Sequence, residues 1–279
     1  MKLLKFDNVD PFLEKTLPIL REFELENNLI IGLAFILKND PEIYPEKYLR
    51  AVENNGNIET IAVCTPPYKL LLYSKLKDPS QQLEPIAQDV KRNINIPGVL
   101  AANNTSRQFA KVWKKRENID YSPGMSERIY KLDKIRFPKQ PNGKMRLADE
   151  NDFELLCKWA VAFHNEAVPD APSKEIEKSI TRKIERQQLA IWEDTIPVSL
   201  VGKFRPTING ISISMVYTPP EHRRKGYASA LVAEFSRKLL DSGYKYITLF
   251  ADLANPTSNS IYQRIGFEPV CDMQEYNFR

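Results

Sequence analysis

Histidine, cysteine and glycine are scarce in this chain of 279 residues, which has 2 His, 3 Cys and 10 Gly. Two histidines exclude a His-rich metal centre. Cys64, Cys157 and Cys271 are odd in number, widely spaced and without CxxC spacing. Neither a disulfide framework nor a zinc site is expected, and a reducing cytosol fits best. None of the three has a His or Asp partner close by in sequence, so no nucleophilic thiol is assigned. Long apolar runs are missing too. LIIGLAFIL at 29–37 is the longest, about half of the ~20 residues that a membrane span requires. The start, MKLLKFDNVDPF, meets charge and proline too soon for a signal peptide. The expectation is a soluble, cytoplasmic protein with no membrane partner and no metal. An excess of one charge sign is also lacking. Forty Lys+Arg against 36 Asp+Glu leave +4, interleaved along the chain, which argues against a nucleic-acid partner. Neither GxxxxGK[ST] nor GxGxxG after a strand occurs, which disfavours nucleotide hydrolysis and dinucleotide redox chemistry.

What is present is a chain that is 42% hydrophobic, long enough for about two domains of roughly 150 residues. The turn-rich stretch FPKQPNG at 137–143 is the expected linker, giving domains at 1–136 and 143–279. In the second half the sequence predicts a strand at 144–148, a helix at 150–167 and a helix at 173–188 capped by Ser173. Strands follow at 189–194, 196–204 and 208–218, then a helix from Gly226 to Ser242 and a strand at 245–253. A short helix at 255–266 and a final strand or strand pair at 267–278 complete it. In the first half, helices are expected at 10–28, 42–55, 79–93 and 105–117, and strands at 58–66, 68–76, 97–102 and 127–135. Strand–strand–helix–strand–helix–strand thus occurs twice, which makes a structural duplication a hypothesis despite negligible identity between the halves.

The most informative segment is SMVYTPPEHRRKGYASALV at 214–232. A strand ends at Thr218, two prolines stop ladder pairing, and a basic loop runs into a helix at Gly226. Arg223, Arg224 and Lys225 therefore stand just before a helix N-terminus, where free N–H groups and the helix dipole already favour an anion. Gly226 lets the backbone approach a phosphate closely, and Ser229 can add a hydroxyl. The physical reading is a pyrophosphate cradle; taken alone, HRRKG is also compatible with a solvated basic loop. A second segment, ANPTSNSIYQRIGFEPV at 254–270, follows a strand. Asn255 can cap the helix that Pro256 begins, and Tyr262 lies about two turns on, sharing a face with Ser258.

Together the two segments resemble the GNAT superfamily of acyl-CoA-dependent N-acyltransferases: Arg223, Gly226 and Ala228 after a strand, then Asn255, Tyr262 and Gly266-Phe267. The resemblance covers 144–279. It implies an α/β (α+β) fold, with a mixed, mostly antiparallel sheet flanked by helices, and the repeated order extends this to two GNAT-like lobes. In the first lobe KDPSQQLEP stands where the cradle should be, so that copy is expected to lack CoA binding. By the same resemblance, acetyl-CoA is the cosubstrate. Val216, Tyr217 and Thr218 match the strand end that pairs with pantetheine, and Arg223, Arg224, Lys225, Gly226, Tyr227, Ala228 and Ser229 match the pyrophosphate loop. Asn255, Ser258 and Asn259 match positions near pantetheine. Tyr262 matches the tyrosine beside the thioester sulfur that protonates the leaving thiolate. The implied activity is acetyl transfer to a small-molecule amine or amino-acid-like acceptor by direct attack. Two alternatives stand beside it, a non-catalytic acyl-CoA sensor and a glycine-type acyltransferase using longer acyl chains. The general base is left open among His164, Glu166, Glu221, His222 and water, and the oligomeric state is undetermined.

Overall fold

Turn chemistry and buried apolar faces divide the chain into short, alternating elements. A computed structural model describes residues 1–167 and 175–279. Its first elements are strand β1 (Lys2–Phe6), helices α1 (Val9–Glu22) and α2 (Asn28–Asn39), and strands β2 (Tyr48–Asn54), β3 (Asn57–Cys64) and β4 (Leu70–Ser74). Helix α3 (Ser80–Asn93), strand β5 (Gly98–Ala102), helix α4 (Asn103–Glu117) and strand β6 (Tyr121–Leu132) come next. The later elements are β7 (Lys144–Leu147), α5 (Phe153–Ala167), α6 (Ile176–Glu185), β8 (Leu189–Asp194), β9 (Ile196–Pro206) and β10 (Gly210–Tyr217). Helix α7 (Tyr227–Asp241), strand β11 (Tyr246–Asp252), helix α8 (Pro256–Ile265) and strand β12 (Glu268–Phe278) complete them. From β1 to α4 and from β7 to α8 the order is the same: strand, two helices, three strands, helix, strand, helix.

Contacts gather these elements into two compact units. Unit 1 comprises Met1–Ile129, Asp252–Ala254 and Val270–Arg279; unit 2 comprises Tyr130–Ala251 and Asn255–Pro269. The units divide at 129/130, seven residues before the boundary expected at 136, and the last ten residues group with unit 1 rather than with the segment that precedes them. In unit 1 the strand order is β1-β2-β3-β4-β5-β12-β6. Pairings β1/β2, β2/β3, β3/β4 and β5/β12 are antiparallel, while β4/β5 is parallel. Tyr48, Leu70, Leu83, Phe109 and Trp113 lie in its core. In unit 2 the order runs from the end of β6 through β11, β10, β9, β8 and β7. Here β7/β8, β8/β9 and β9/β10 are antiparallel and β10/β11 parallel. One core cluster of unit 2 includes Trp192, Leu231, Phe235, Ile247 and Phe267, and another includes Leu156, Trp159, Ile180 and Leu200. The mixed, mostly antiparallel sheet with helices is the expected class.

Several first-half elements differ from the sequence expectation. The segment 42–55, expected as a helix, contains strand β2. Its apolar residues at 48, 49, 51 and 52 satisfy helical spacing, because Arg50 interrupts the run while being buried itself. Arg50 is 9% exposed and its Nε donates to Asp89 Oδ2 at 2.7 Å. A strand covered on both faces does not alternate. The contrary signal was Asn55-Gly56, whose φ values of 49° and 80° make the left-handed two-residue turn that joins β2 to β3. The expected helix 10–28 is α1 alone, and the apolar run at 29–37 forms the buried helix α2. Strand β1 was not expected, and β6 starts at Tyr121 rather than 127. Ser173, the expected cap of α6, lies outside the described residues. Of the two forms expected for 267–278, the single long strand is the one found.

Entry into unit 2 is fixed by one polar knot. Arg146 on β7 donates from Nη1 and Nη2 to the two oxygens of Asp152 at 2.7 and 2.8 Å, and Asp149 N–H reaches the same carboxylate at 2.9 Å. Asp152 and Asp149 also close a capping box ahead of α5. Burial alone pushes the Asp152 carboxyl up, but Arg146 and the Asp149 N–H hold it below the usual carboxylate range. A depressed carboxyl stabilises the fold above its unfolded pKa of about 3.9, and that contribution is lost as pH falls through the folded value. Asp152→Asn is expected to cost unit 2 about 2 kcal/mol at neutral pH, and the gap from the parent protein should close below about pH 4. Urea unfolding at the two pH values checks this; an equal gap at both would show that charge is not the source.

Candidate functional site

Strands β10 and β11 run parallel through only three rungs, Gly210–Tyr246, Ile211–Ile247 and Ser212–Thr248. The last rung is fastened by a buried hydroxyl pair, Ser212 Oγ to Thr248 Oγ1 at 2.8 Å. Beyond it β10 stays with β9 alone, and its register slips by one residue between Ser214 and Tyr217. Met215 takes up the extra residue with φ of 53°. A bulge of this kind turns the backbone out of ladder register, and positive φ at a side-chain-bearing residue is held only where the surroundings enforce it. The end of β10 is held to β9 by Ser199, whose hydroxyl donates to Tyr217 O at 3.1 Å and lies 2.8 Å from Thr218 Oγ1. The result is a stretch, Ile213–Tyr217, with one backbone edge that pairs with no strand among the described residues.

The chain then makes its basic loop. Arg223 is extended, Arg224 has φ of 64° and Gly226 φ of 87°. Left-handed residues placed among others turn successive N–H groups into one concavity, which suits an anion. Gly226 is the N-cap of α7, no side chain caps that helix, and its first ladder bond is Ala230 N–H to Gly226 O at 3.0 Å. The N–H groups of Tyr227, Ala228 and Ser229 therefore have no intrahelical acceptor. A Cβ added at Gly226 would meet nothing within 4 Å, so the space before this helix end is open.

Helix α8 carries the second group of residues. Asn255 Oδ1 accepts Ser258 N–H at 3.0 Å, and Pro256 occupies the first turn. At the far end Phe267 N–H bonds to Tyr262 O at 3.0 Å and Gly266 N–H to Gln263 O at 3.1 Å, with Gly266 at φ of 113°. This paired closure fixes the Tyr262 backbone. A side chain at Gly266 would strike Lys134 O at 2.5 Å, so glycine is required there on two grounds. The Tyr262 ring is half-buried against the Phe267 ring at 5.7 Å, edge-on, and the Tyr130 ring at 6.5 Å. Among the described residues its hydroxyl has no hydrogen-bond partner, and burial pushes the phenol up to about 12. It is protonated throughout the neutral range.

The family match lies mostly in the second unit. Residues 200–276 match the family described as FR47-like protein. N-acetyltransferase Eis of Mycobacterium tuberculosis is 36% identical over 88 residues, which are 29% of this chain and 21% of the relative; Eis of Mycobacterium bovis matches equally. The chain thus spans about a fifth of the length of these curated relatives. Across the whole chain, the structure is similar to an acetyltransferase from the GNAT family of Colwellia psychrerythraea, with TM-score 0.61 and 11% identity over 100% of both chains. It is similar as well to a tandem GNAT protein from the clavulanic acid biosynthesis pathway, with TM-score 0.59 and 10% identity over 100% of this chain and 98% of the other. The fold is that of the GNAT acetyltransferases.

Within this GNAT fold the expected residues divide. Arg224, Lys225 and Gly226 are exposed at the helix start, with Ala228 and Ser229 in its first turn. Among the described residues no acid pairs with Arg224 or Lys225. Arg223 has other work. Its Nη2 donates to Glu166 at 2.7 and 3.0 Å and its Nε to Thr218 O at 2.9 Å, which ties the loop to α5 and to the end of β10. That contact also occupies Glu166, one of the candidate bases. Tyr227 is 8% exposed and its hydroxyl donates to Asp194, so its side chain is a core contact and only its N–H belongs to the helix start. Asn259 accepts from Tyr130 Oη at 2.8 Å and donates to Asn255 O at 2.7 Å, which makes its side chain a brace for α8. Sequence reasoning missed Tyr130. It is fully buried, braces Asn259, and receives a bond from Gln263 Nε2 at 3.4 Å. Its place in an expected strand at 127–135 was visible, but nothing in the chain tied it to α8.

Gly226→Ala tests the loop backbone. The space is open, so only the left-handed φ opposes a methyl group, and the expected loss is about 1 kcal/mol of stability. Thermal unfolding measures it; no loss would show that the loop relaxes freely.

Proposed function

We propose that this chain is an acyl-CoA-dependent N-acyltransferase that transfers acetyl from acetyl-CoA to the primary amine of a small molecule, with unit 2 as the working unit. The observation that carries the reading is the uncapped, open N-terminus of α7, reached through two left-handed residues, Arg224 and Gly226, in the loop that follows the unpaired end of β10. The free N–H groups of residues 227–229, with Arg224 and Lys225, suit a pyrophosphate by hydrogen bond, dipole and charge together. The unpaired backbone edge of Ile213–Tyr217 suits the amides of a pantetheine arm. Acyl-CoA supplies an acyl group activated as a thioester. The amine nitrogen bonds to the acyl carbon, the carbon–sulfur bond breaks, and a backbone N–H of the Val216 region steadies the developing oxyanion. Tyr262 hands its proton to the departing sulfur and recovers one from water, which also takes the proton lost by the amine. A phenol near 12 is a weak acid beside a thiol of about 8.5, so transfer works as charge builds on sulfur, and position outweighs acidity.

Unit 1 repeats the element order but not the anion site. The matching helix, α3, begins beside Asp78, whose carboxylate accepts Ser80 N–H at 3.2 Å and the Ser80 hydroxyl. Those bonds hold the Asp78 carboxyl below its ordinary range. A fixed negative charge of the chain's own thus stands where a phosphate would sit, and unit 1 is read as a GNAT-like copy that does not bind CoA.

Titration calorimetry with acetyl-CoA is expected to show one site per chain. Arg224→Glu should weaken it more than tenfold, because the substitution replaces attraction with repulsion. Tyr262→Phe should bind as well as the parent protein while kcat on an accepted amine falls about a hundredfold. Absence of acetyl-CoA binding by the parent protein would overturn the reading. Full turnover by Tyr262→Phe would remove Tyr262 from it.

A further inference from the structure

The parallel pair β4/β5 in unit 1 also parts early. Its rungs are Leu70–Val99 and Leu71–Leu100, although β4 runs on to Ser74 and β5 to Ala102. A cavity of about 150 Å³ lies there. Its apolar walls are Ile30, Leu71, Leu72, Leu100 and Met273. A cavity of this size with such walls accommodates one aromatic ring.

The polar lining has one sign. Glu26 is exposed and lines the cavity, and among the described residues neither Glu26 nor the neighbouring Glu22 has an ion pair. The field registers on two lining groups. Burial raises the Tyr73 phenol, with Glu26 and Glu22 adding to it, and burial pushes the Cys271 thiol up to about 12, with Glu26 and Asp272 adding. Thr105, 4% exposed, also lines the cavity, and its hydroxyl has no hydrogen-bond partner among the described residues. An anion would meet repulsion here, and a neutral ring would leave the buried Thr105 hydroxyl unanswered.

We propose that unit 1 binds a small apolar primary amine as its ammonium ion, the hydrocarbon part among Ile30, Leu71, Leu72, Leu100 and Met273 and the charge against Glu26 and the Thr105 hydroxyl. The site is independent of the chemistry proposed for unit 2. It makes unit 1 a binding unit for an amine, separate from acetyl transfer.

The test titrates the methyl-labelled full chain, without acyl-CoA, with benzylamine and separately with benzyl alcohol, which keeps the ring and lacks the charge. Benzylamine is expected to shift the methyl signals of those five residues and to bind about two- to fivefold more tightly than the alcohol, the range for one exposed charge contact. Glu26→Gln, a surface change that leaves the core intact, should bring benzylamine down to the level of benzyl alcohol, and Thr105→Val should weaken it further. Tyr262→Phe should leave the titration unchanged. Equal affinity for amine and alcohol, an unaltered titration in Glu26→Gln, or shifts confined to methyl groups outside this set would each overturn the proposal.

Discussion

The parting of a parallel strand pair is the constraint on which the candidate site rests. In unit 2, the hydroxyl bond between Ser212 and Thr248 marks the last rung shared by β10 and β11. Up to that rung both strands spend their amides on each other; past it, β10 has backbone groups to offer. A ladder left incomplete inside a fold is costly unless water or a ligand answers it. The bulge at Met215 and the clamp from Ser199 keep this end of β10 on β9, so the free edge persists instead of collapsing.

Both units contain such a parting, and the segment after the strand makes them different. After β10 come two prolines, a basic loop and a bare helix end. After β4 comes Asp78, whose carboxylate takes the Ser80 N–H at the start of α3. The same backbone plan therefore carries basic residues at the helix start in one unit and a carboxylate there in the other, with little change in secondary structure. This is the ordinary relation of fold to function: the frame recurs, and the site depends on the residues placed in it.

The loop and helix start proposed as a cradle were legible because their physics is local. Gly226, the basic residues before it and the small residues after it are neighbours in sequence, as are Asn255, Pro256, Tyr262 and Gly266. The features that could not be read were long-range or hidden by compensation. Arg50 disguised β2, since a buried arginine paired with Asp89 looks like a polar residue on a helix surface. The Arg223–Glu166 pair and the bracing of Asn259 by Tyr130 span 57 and 129 residues, and no local pattern announces them. Tyr227 shows the limit from the other side. It lies inside the expected loop, yet its side chain turns into the core and bonds Asp194.

Strand β12 completes the sheet of unit 1, with Met273–Asn277 paired along β5 so closely that a Cβ on Gly98 would stand 2.2 Å from Tyr276 O. During synthesis, β5 and β6 thus emerge with bare edges and wait for residues made about 150 to 175 positions later. Unpaired strand edges invite pairing with other chains. Of the two units, the one made earlier is then the last to be finished, and its strand edges stay bare until the end of β12 is made.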